Sequence, residues 1–166
     1  MTGRQANLLG FAACAALLAY AYYAQYVMHL EPCPLCIFQR IGVFAVAAAF
    51  LIAATHDPVS WGRRVYAVLI AVAAAATIGV AARHLYIQSQ PPGTIAACGA
   101  SLDFMLKVFS LGEVLTKVLS GSGECAKINW QFLGLAMPAW VLIAAAVLGP
   151  YGLWANLRRQ VPVLRF

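Results

Sequence analysis

Charge is what this chain has least of. Only 10% of its 166 residues are Asp, Glu, Lys or Arg, and five of them are acidic, whereas a soluble domain carries about 25% charged residues. An ordinary water-soluble fold is thereby excluded. Histidine is also scarce, at three copies, so nitrogen ligands for a metal are few. The net charge of +6 does not indicate a nucleic-acid binder, because the basic residues form no patch. They are spaced along the chain instead, with Arg4 before the first apolar run, Arg63 and Arg64 between the second and third, and Arg158, Arg159 and Arg165 after the fourth.

Apolar sequence is what remains, at 63% of the chain. A run of about 20 apolar residues spans the hydrocarbon of a bilayer, and four such runs stand at about 8–27, 37–54, 65–82 and 132–154. Backbone in lipid must satisfy its own hydrogen bonds. The sequence therefore predicts an all-α integral membrane protein, a four-transmembrane-helix bundle forming a single membrane domain. Arginines between the runs place both termini in the cytoplasm, and the loops at about 28–36 and 89–131 on the outer side. Ala19-Tyr20-Ala21 resembles a signal cleavage site, but the first run is long for a signal peptide and is read as an uncleaved span. Tyr20, Tyr22, Tyr23 and Tyr26 fit an interfacial aromatic belt at its outer end.

Four of the five cysteines fall in or beside the outer loops: Cys33, Cys36, Cys98 and Cys125. In a bacterium that side is the periplasm, where disulfides persist. Cys14, inside the first run, reads as a small packing residue. Cys33 and Cys36 bracket Pro34-Leu35, a spacing that closes a small ring and that also serves zinc ligation or a plain loop staple. Cys36 falls in the first turn of the second helix, with Arg40 four residues on along the same face. Unpaired N–H groups at a helix start and a nearby guanidinium both favour a thiolate, the reactive form in disulfide exchange.

At the outer end of the third run, His84 and Gln88 share a helix face at the level of Cys36 and are candidates to contact a ligand. The second outer loop is broken by Pro91-Pro92-Gly93. It then carries apolar residues at helical spacing, Leu102, Met105, Leu106 and Phe109, followed by Val114, Leu115, Val118 and Leu119. That pattern predicts a short amphipathic surface helix in the second outer loop. Gly121-Ser122-Gly123 reads as a tether before Cys125. Met137-Pro138 reads as a kink in the fourth span, with Trp130 and Trp154 as its interface anchors.

An all-thiolate zinc site is disfavoured, because 26 residues separate Cys98 from Cys125 and outer histidines are limited to His29 and His84; no metal is expected. Two disulfides fit better, one tight and at the membrane, one spanning a loop. Relaying electrons between them requires a dithiol at one end and an oxidant at the other. The position of Cys36 at the edge of a span points to a lipid-soluble oxidant, a quinone.

The residues PCPLCIFQR from Pro32 to Arg40, the lone loop cysteine Cys98, and CAKINWQFLGLAMPAW from Cys125 to Trp140 resemble the bacterial disulfide bond formation protein B family over nearly the whole chain. That resemblance implies an inner-membrane protein-disulfide:quinone oxidoreductase. It implies disulfides Cys33–Cys36 and Cys98–Cys125, with a reduced periplasmic DsbA-like thiol oxidase attacking at Cys98. Freed Cys125 would then exchange with Cys33 and leave Cys36 facing the quinone, ubiquinone ahead of menaquinone. Arg40, His84, Gln88 and Trp130 are the implied quinone-site residues. A non-enzymatic scaffold braced by the same disulfides is the alternative. A vitamin K epoxide reductase-like enzyme is a poorer match, since its CxxC follows a separate cysteine pair and here CxxC comes first.

Overall fold

The computed structural model describes residues 2–58, 61–91, 107–121 and 123–158. Among these, four helices are long and apolar enough to cross a membrane: α1, Gly3–Tyr26; α2, Pro34–His56; α3, Trp61–Gln88; and α6, Met137–Leu157. Two shorter helices, α4 at Leu111–Ser120 and α5 at Gly123–Ala126, come between α3 and α6. Helix α4 falls within the segment read from sequence as amphipathic and buries Val114 and Val118. Its first half, Leu102 to Leu106, lies outside the described residues, as do Cys98, Pro92 and Gly93, Ser122, Arg159 and Arg165.

The helices begin and end where local chemistry dictates, often a few residues beyond the apolar runs. Thr2 caps α1 through a reciprocal box with Gln5, satisfying two backbone groups that water would otherwise serve. Helix α2 starts three residues earlier than its apolar run. Pro34 occupies its first turn, where a missing N–H costs nothing, and Cys33 is the N-cap in extended conformation. It ends at Asp57, whose left-handed backbone, φ 39°, closes the helix just before Pro58.

The start of the fourth span departs furthest from expectation. Residues 131–136 form a two-stranded antiparallel hairpin, β1 Gln131–Phe132 and β2 Leu135–Ala136, and α6 begins only at Met137. Leu133 and Gly134 both have positive φ, 52° and 77°, the conformation that a two-residue primed turn demands. Trp140 Nε1 donates to the Phe132 carbonyl at 3.3 Å and holds the hairpin against α6. Pro138 consequently sits in the first turn of α6 and makes no kink there; the proline inside that helix is Pro150.

Helix α1 packs on α2, α2 on α3, and α3 on α6. One core cluster joins Cys14, Val43, Val46, Ala47, Phe50, Ile70 and Ala74 at mid-bundle, so Cys14 is buried packing, as expected. Close approach there depends on missing side chains: a Cβ on Gly10 would stand 2.7 Å from the Phe50 ring. Outward faces carry exposed Ile41, Phe44, Val68 and Val72, as a lipid-facing surface requires. At the end of the bundle away from Cys33, Asn7 and Asn156 exchange amide hydrogen bonds of 3.1 and 3.0 Å, and Tyr151 donates to the Ala6 carbonyl at 2.9 Å. These bonds clasp α1 to α6.

A second cluster joins Leu35, Ile87, Val114, Val118 and Cys125. It seats α4 and α5 against the ends of α2 and α3. Gly121, read from sequence as part of a tether, terminates α4 with φ 94°, and a Cβ on it would stand 2.6 Å from Ile87 Cδ1. Its smallness lets α4 sit down on α3, and Cys125 follows it into the core.

Candidate functional site

Helix starts and ends converge on one buried cluster. Cys33 Sγ accepts from the Cys36 backbone N–H at 3.4 Å, so a sulfur does the work of the usual N-cap oxygen. The two sulfurs lie 3.2 Å apart as adjacent thiols. Cys36, in the first turn of α2, feels unpaired backbone N–H groups that favour negative charge on its sulfur.

Helix α3 brings His84 to the same place, 2% exposed. Its Nε2 lies 3.7 Å from Cys33 Sγ and 3.1 Å from the Cys125 carbonyl oxygen, and its Nδ1 lies 3.0 Å from Gln39 Nε2. One neutral tautomer serves all of these contacts: Gln39 donates to Nδ1, and the proton on Nε2 points to the Cys125 carbonyl and the Cys33 sulfur. The imidazole ties α2, α3 and α5 together. Cys33, His84 and Cys125 offer a sulfur, a nitrogen and a sulfur that all lie within 4.8 Å of one another. Cys125 is therefore within a side-chain rotation of Cys33.

Arg40, on α2, lines the same space as Cys36. Its guanidinium donates to Gln25 Oε1 and, at 3.0 Å, to the Ala21 carbonyl, and it lies 5.3 Å from the Tyr22 ring centroid. It is thus anchored on α1 and lines the space beside Cys36 from there. Gln88 lies on the same face of α3 as His84, and its Oε1 is buried without a hydrogen-bond partner among the described residues.

Two cavities meet at this cluster. The smaller, about 60 Å³, is lined by Cys33, Cys36, His84 and Gln88, room for a water or two. The larger, about 370 Å³, is walled by Leu17, Tyr20, Phe132, Trp140 and Val43, and its polar lining includes Gln39 and Arg40. It falls within the roughly 300–1,000 Å³ of small-molecule sites. Cys36, Arg40 and Trp130 line both cavities. Trp130 stacks on Phe132 at 6.2 Å and meets Tyr20 edge-on at 5.9 Å, forming the partition.

Of the residues expected from sequence, Cys33, Cys36, Cys125, His84, Gln88, Arg40 and Trp130 come together here; Cys98 lies outside the described residues. Gln39 and Gln25 were not anticipated. Gln39 had a signal, as a polar residue inside an apolar run, which in a membrane segment marks function or an interhelical bond.

Comparison with known proteins gives a consistent result. The family model described as "Disulfide bond formation protein DsbB" matches residues 3–155. The disulfide bond formation protein B of Nitrosococcus oceani is 51% identical over 146 residues, covering 88% of this chain and 86% of that protein. Its counterpart in Methylococcus capsulatus is 49% identical over 160 residues, covering 95% and 98%. That of Chromobacterium violaceum is 48% identical over 160 residues, covering 96% of each.

Proposed function

The chain belongs to the disulfide bond formation protein B family, a family of membrane proteins, and from that premise we propose that it is a protein-disulfide:quinone oxidoreductase of the bacterial inner membrane. Cys33, Cys36, Cys98 and Cys125 face the periplasm, where the protein reoxidises a DsbA-like thiol oxidase and so sustains disulfide formation in exported proteins. The observation that carries this reading is that Cys36 borders both cavities, the polar cleft shared with Cys33 and His84 and the apolar cavity walled by aromatic rings.

The relay follows as successive exchanges. A partner thiolate attacks Cys98 of a Cys98–Cys125 disulfide, forming a mixed disulfide and releasing Cys125 as thiolate. Cys125 then attacks Cys33 of a Cys33–Cys36 disulfide, and Cys36 leaves as thiolate. The partner's second thiolate resolves the mixed disulfide and leaves oxidised; freed Cys98 attacks Cys125, which restores the Cys98–Cys125 bond and releases Cys33, so that the electron pair rests on Cys33 and Cys36. Proximity of Cys125 to Cys33 supports the second step. His84 holds the Cys125 carbonyl at 3.1 Å and so fixes the attacking segment.

A flat ring with polar edges fits the larger cavity: aromatic walls at Tyr20, Trp130 and Trp140 take its faces, and Gln39 and Arg40 offer donors to its oxygens. Bound there, a quinone, ubiquinone in the first instance, would supply the acceptor for two electrons and two protons. The chain's own part is to present Cys36 to that cavity, to exclude water with the Trp130 partition, and to keep a guanidinium beside the sulfur.

The test is anaerobic mixing of the purified protein with a reduced thioredoxin-fold dithiol and a short-chain quinone, following quinone absorbance. One quinone lost per dithiol oxidised is expected, with Cys36→Ser abolishing that loss while Cys98–Cys125 still exchanges. Turnover preserved in Cys36→Ser would refute the assignment.

A further inference from the structure

The cluster that performs exchange also has the donor set of a soft-metal site. Cys33 Sγ, Cys125 Sγ and one nitrogen of His84 lie within 4.8 Å of one another, and Cys33 Sγ stands 3.7 Å from His84 Nε2. Around a tetrahedral zinc-class ion, bond lengths of about 2.3 Å to sulfur and 2.0–2.1 Å to nitrogen put neighbouring donors about 3.5–3.8 Å apart. One edge of that tetrahedron is already at length. The others are within 4.8 Å.

We propose that, in the reduced protein, Cys33, His84 and Cys125 bind one thiophilic divalent cation of the zinc class, and that this ion brakes the relay. Charge favours the set: two thiolates and a neutral imidazole balance a 2+ ion, so the buried complex is neutral. The two thiol protons leave to solvent as the ion enters. The adjoining cleft of about 60 Å³ leaves a fourth position for water.

Gln39 completes the site as an outer partner. For Nε2 to ligate, the imidazole proton must sit on Nδ1, and Gln39 meets that need by rotating its amide to present oxygen at the 3.0 Å contact. The bond from His84 to the Cys125 carbonyl is then given up.

Either disulfide formed through Cys33 or Cys125 withdraws a ligand, so oxidation and the ion exclude each other. Binding to one redox state alone stabilises that state by mass action. The ion therefore holds the centre reduced and blocks re-formation of a disulfide at Cys33 or Cys125. This follows from the cluster's geometry and does not depend on the quinone reading.

The experiment is anaerobic titration of cobalt(II), a spectroscopic stand-in for zinc, into detergent-solubilised protein without quinone. Reduced protein is expected to bind one ion with a thiolate-to-cobalt charge-transfer band, and oxidised protein none. His84→Ala and Cys125→Ser should each weaken binding more than about tenfold, since losing even an outer partner costs about 10–100-fold. Cys36→Ser and Cys14→Ala should bind as the parent does. Absence of the band, or its loss in Cys36→Ser with retention in His84→Ala, would overturn the proposal, the latter in favour of chelation by the CxxC pair. X-ray absorption on the zinc-loaded parent and on zinc-loaded Cys36→Ser settles the matter if His84→Ala or Cys125→Ser fails to fold: two sulfurs in both support the site, and any other count in the parent, or a sulfur lost in Cys36→Ser, refutes it.

Discussion

Gln39 of α2 and His84 of α3 meet side chain to side chain at 3.0 Å, inside the protein and with neither more than 2% exposed. The Cys125 carbonyl, which can only accept, puts the imidazole proton on Nε2, and Gln39 donates to the Nδ1 left bare. Replacing Gln39 by Leu leaves Nδ1 buried without a donor, at about 1–3 kcal/mol. Gln39→Leu should lower thermal stability in detergent and slow the Cys125-to-Cys33 exchange, with attack on Cys98 by the partner unchanged. Rapid-quench trapping of the mixed disulfides separates the two steps, and equal slowing of both would remove this role from Gln39.

Arg40 extends from α2, and its guanidinium is held on α1 by Gln25 and the Ala21 carbonyl. Arg40→Ala should raise the apparent KM for quinone about tenfold, the equivalent of roughly 1.4 kcal/mol. Gln25→Leu should do so by less, since one of the guanidinium's two anchors survives. Steady-state kinetics against short-chain quinone concentration measure both, and a larger effect of Gln25→Leu would contradict the order given.

The larger cavity can be filled without touching a sulfur. Leu17 lines it from α1, and Leu17→Trp places an indole where the ring would lie. Quinone reduction should fall at least about tenfold while a single turnover of thiol exchange proceeds at the parent rate. Unchanged quinone kinetics would move the quinone out of this cavity.

Far from the cysteines, the Asn7–Asn156 amide pair offers a cleaner stability test. Interhelical hydrogen bonds in membrane proteins average about 0.6 kcal/mol and reach about 1.7. Asn7→Leu or Asn156→Leu should each cost about 1 kcal/mol, and the double variant less than the sum, since both amides are then removed together. Denaturation in mixed micelles measures the cycle; strict additivity would show that the pair does not couple.

The four spans were legible because a bilayer dictates one thing, a run of apolar residues of fixed length, and Ile37 to Ala54 or Val65 to Ala82 could hardly satisfy it otherwise. Their ends were not. Composition cannot distinguish Phe132-Leu133-Gly134-Leu135 as lipid-facing helix from the hairpin it forms, because the difference lies in positive backbone angles at Leu133 and Gly134. CxxC and its partner cysteine announced chemistry by spacing and placement. His84 was found by depth along α3, and helical periodicity paired it with Gln88. Its closest side-chain partner, Gln39, lies 45 residues away on another helix, a relation that only packing creates. The same holds for Arg40, whose i to i+4 relation to Cys36 says nothing of the residues on α1 that hold its guanidinium.

One atom, Cys33 Sγ, both caps α2 and stands within the Cys33–His84–Cys125 cluster. The first turn of a membrane helix is therefore fastened by the same sulfur whose bonding partner would change during turnover. Each change of partner would tighten or loosen the backbone amide of Cys36, so that deuterium uptake at that one amide would report the bonding state of the sulfur without quinone or dye.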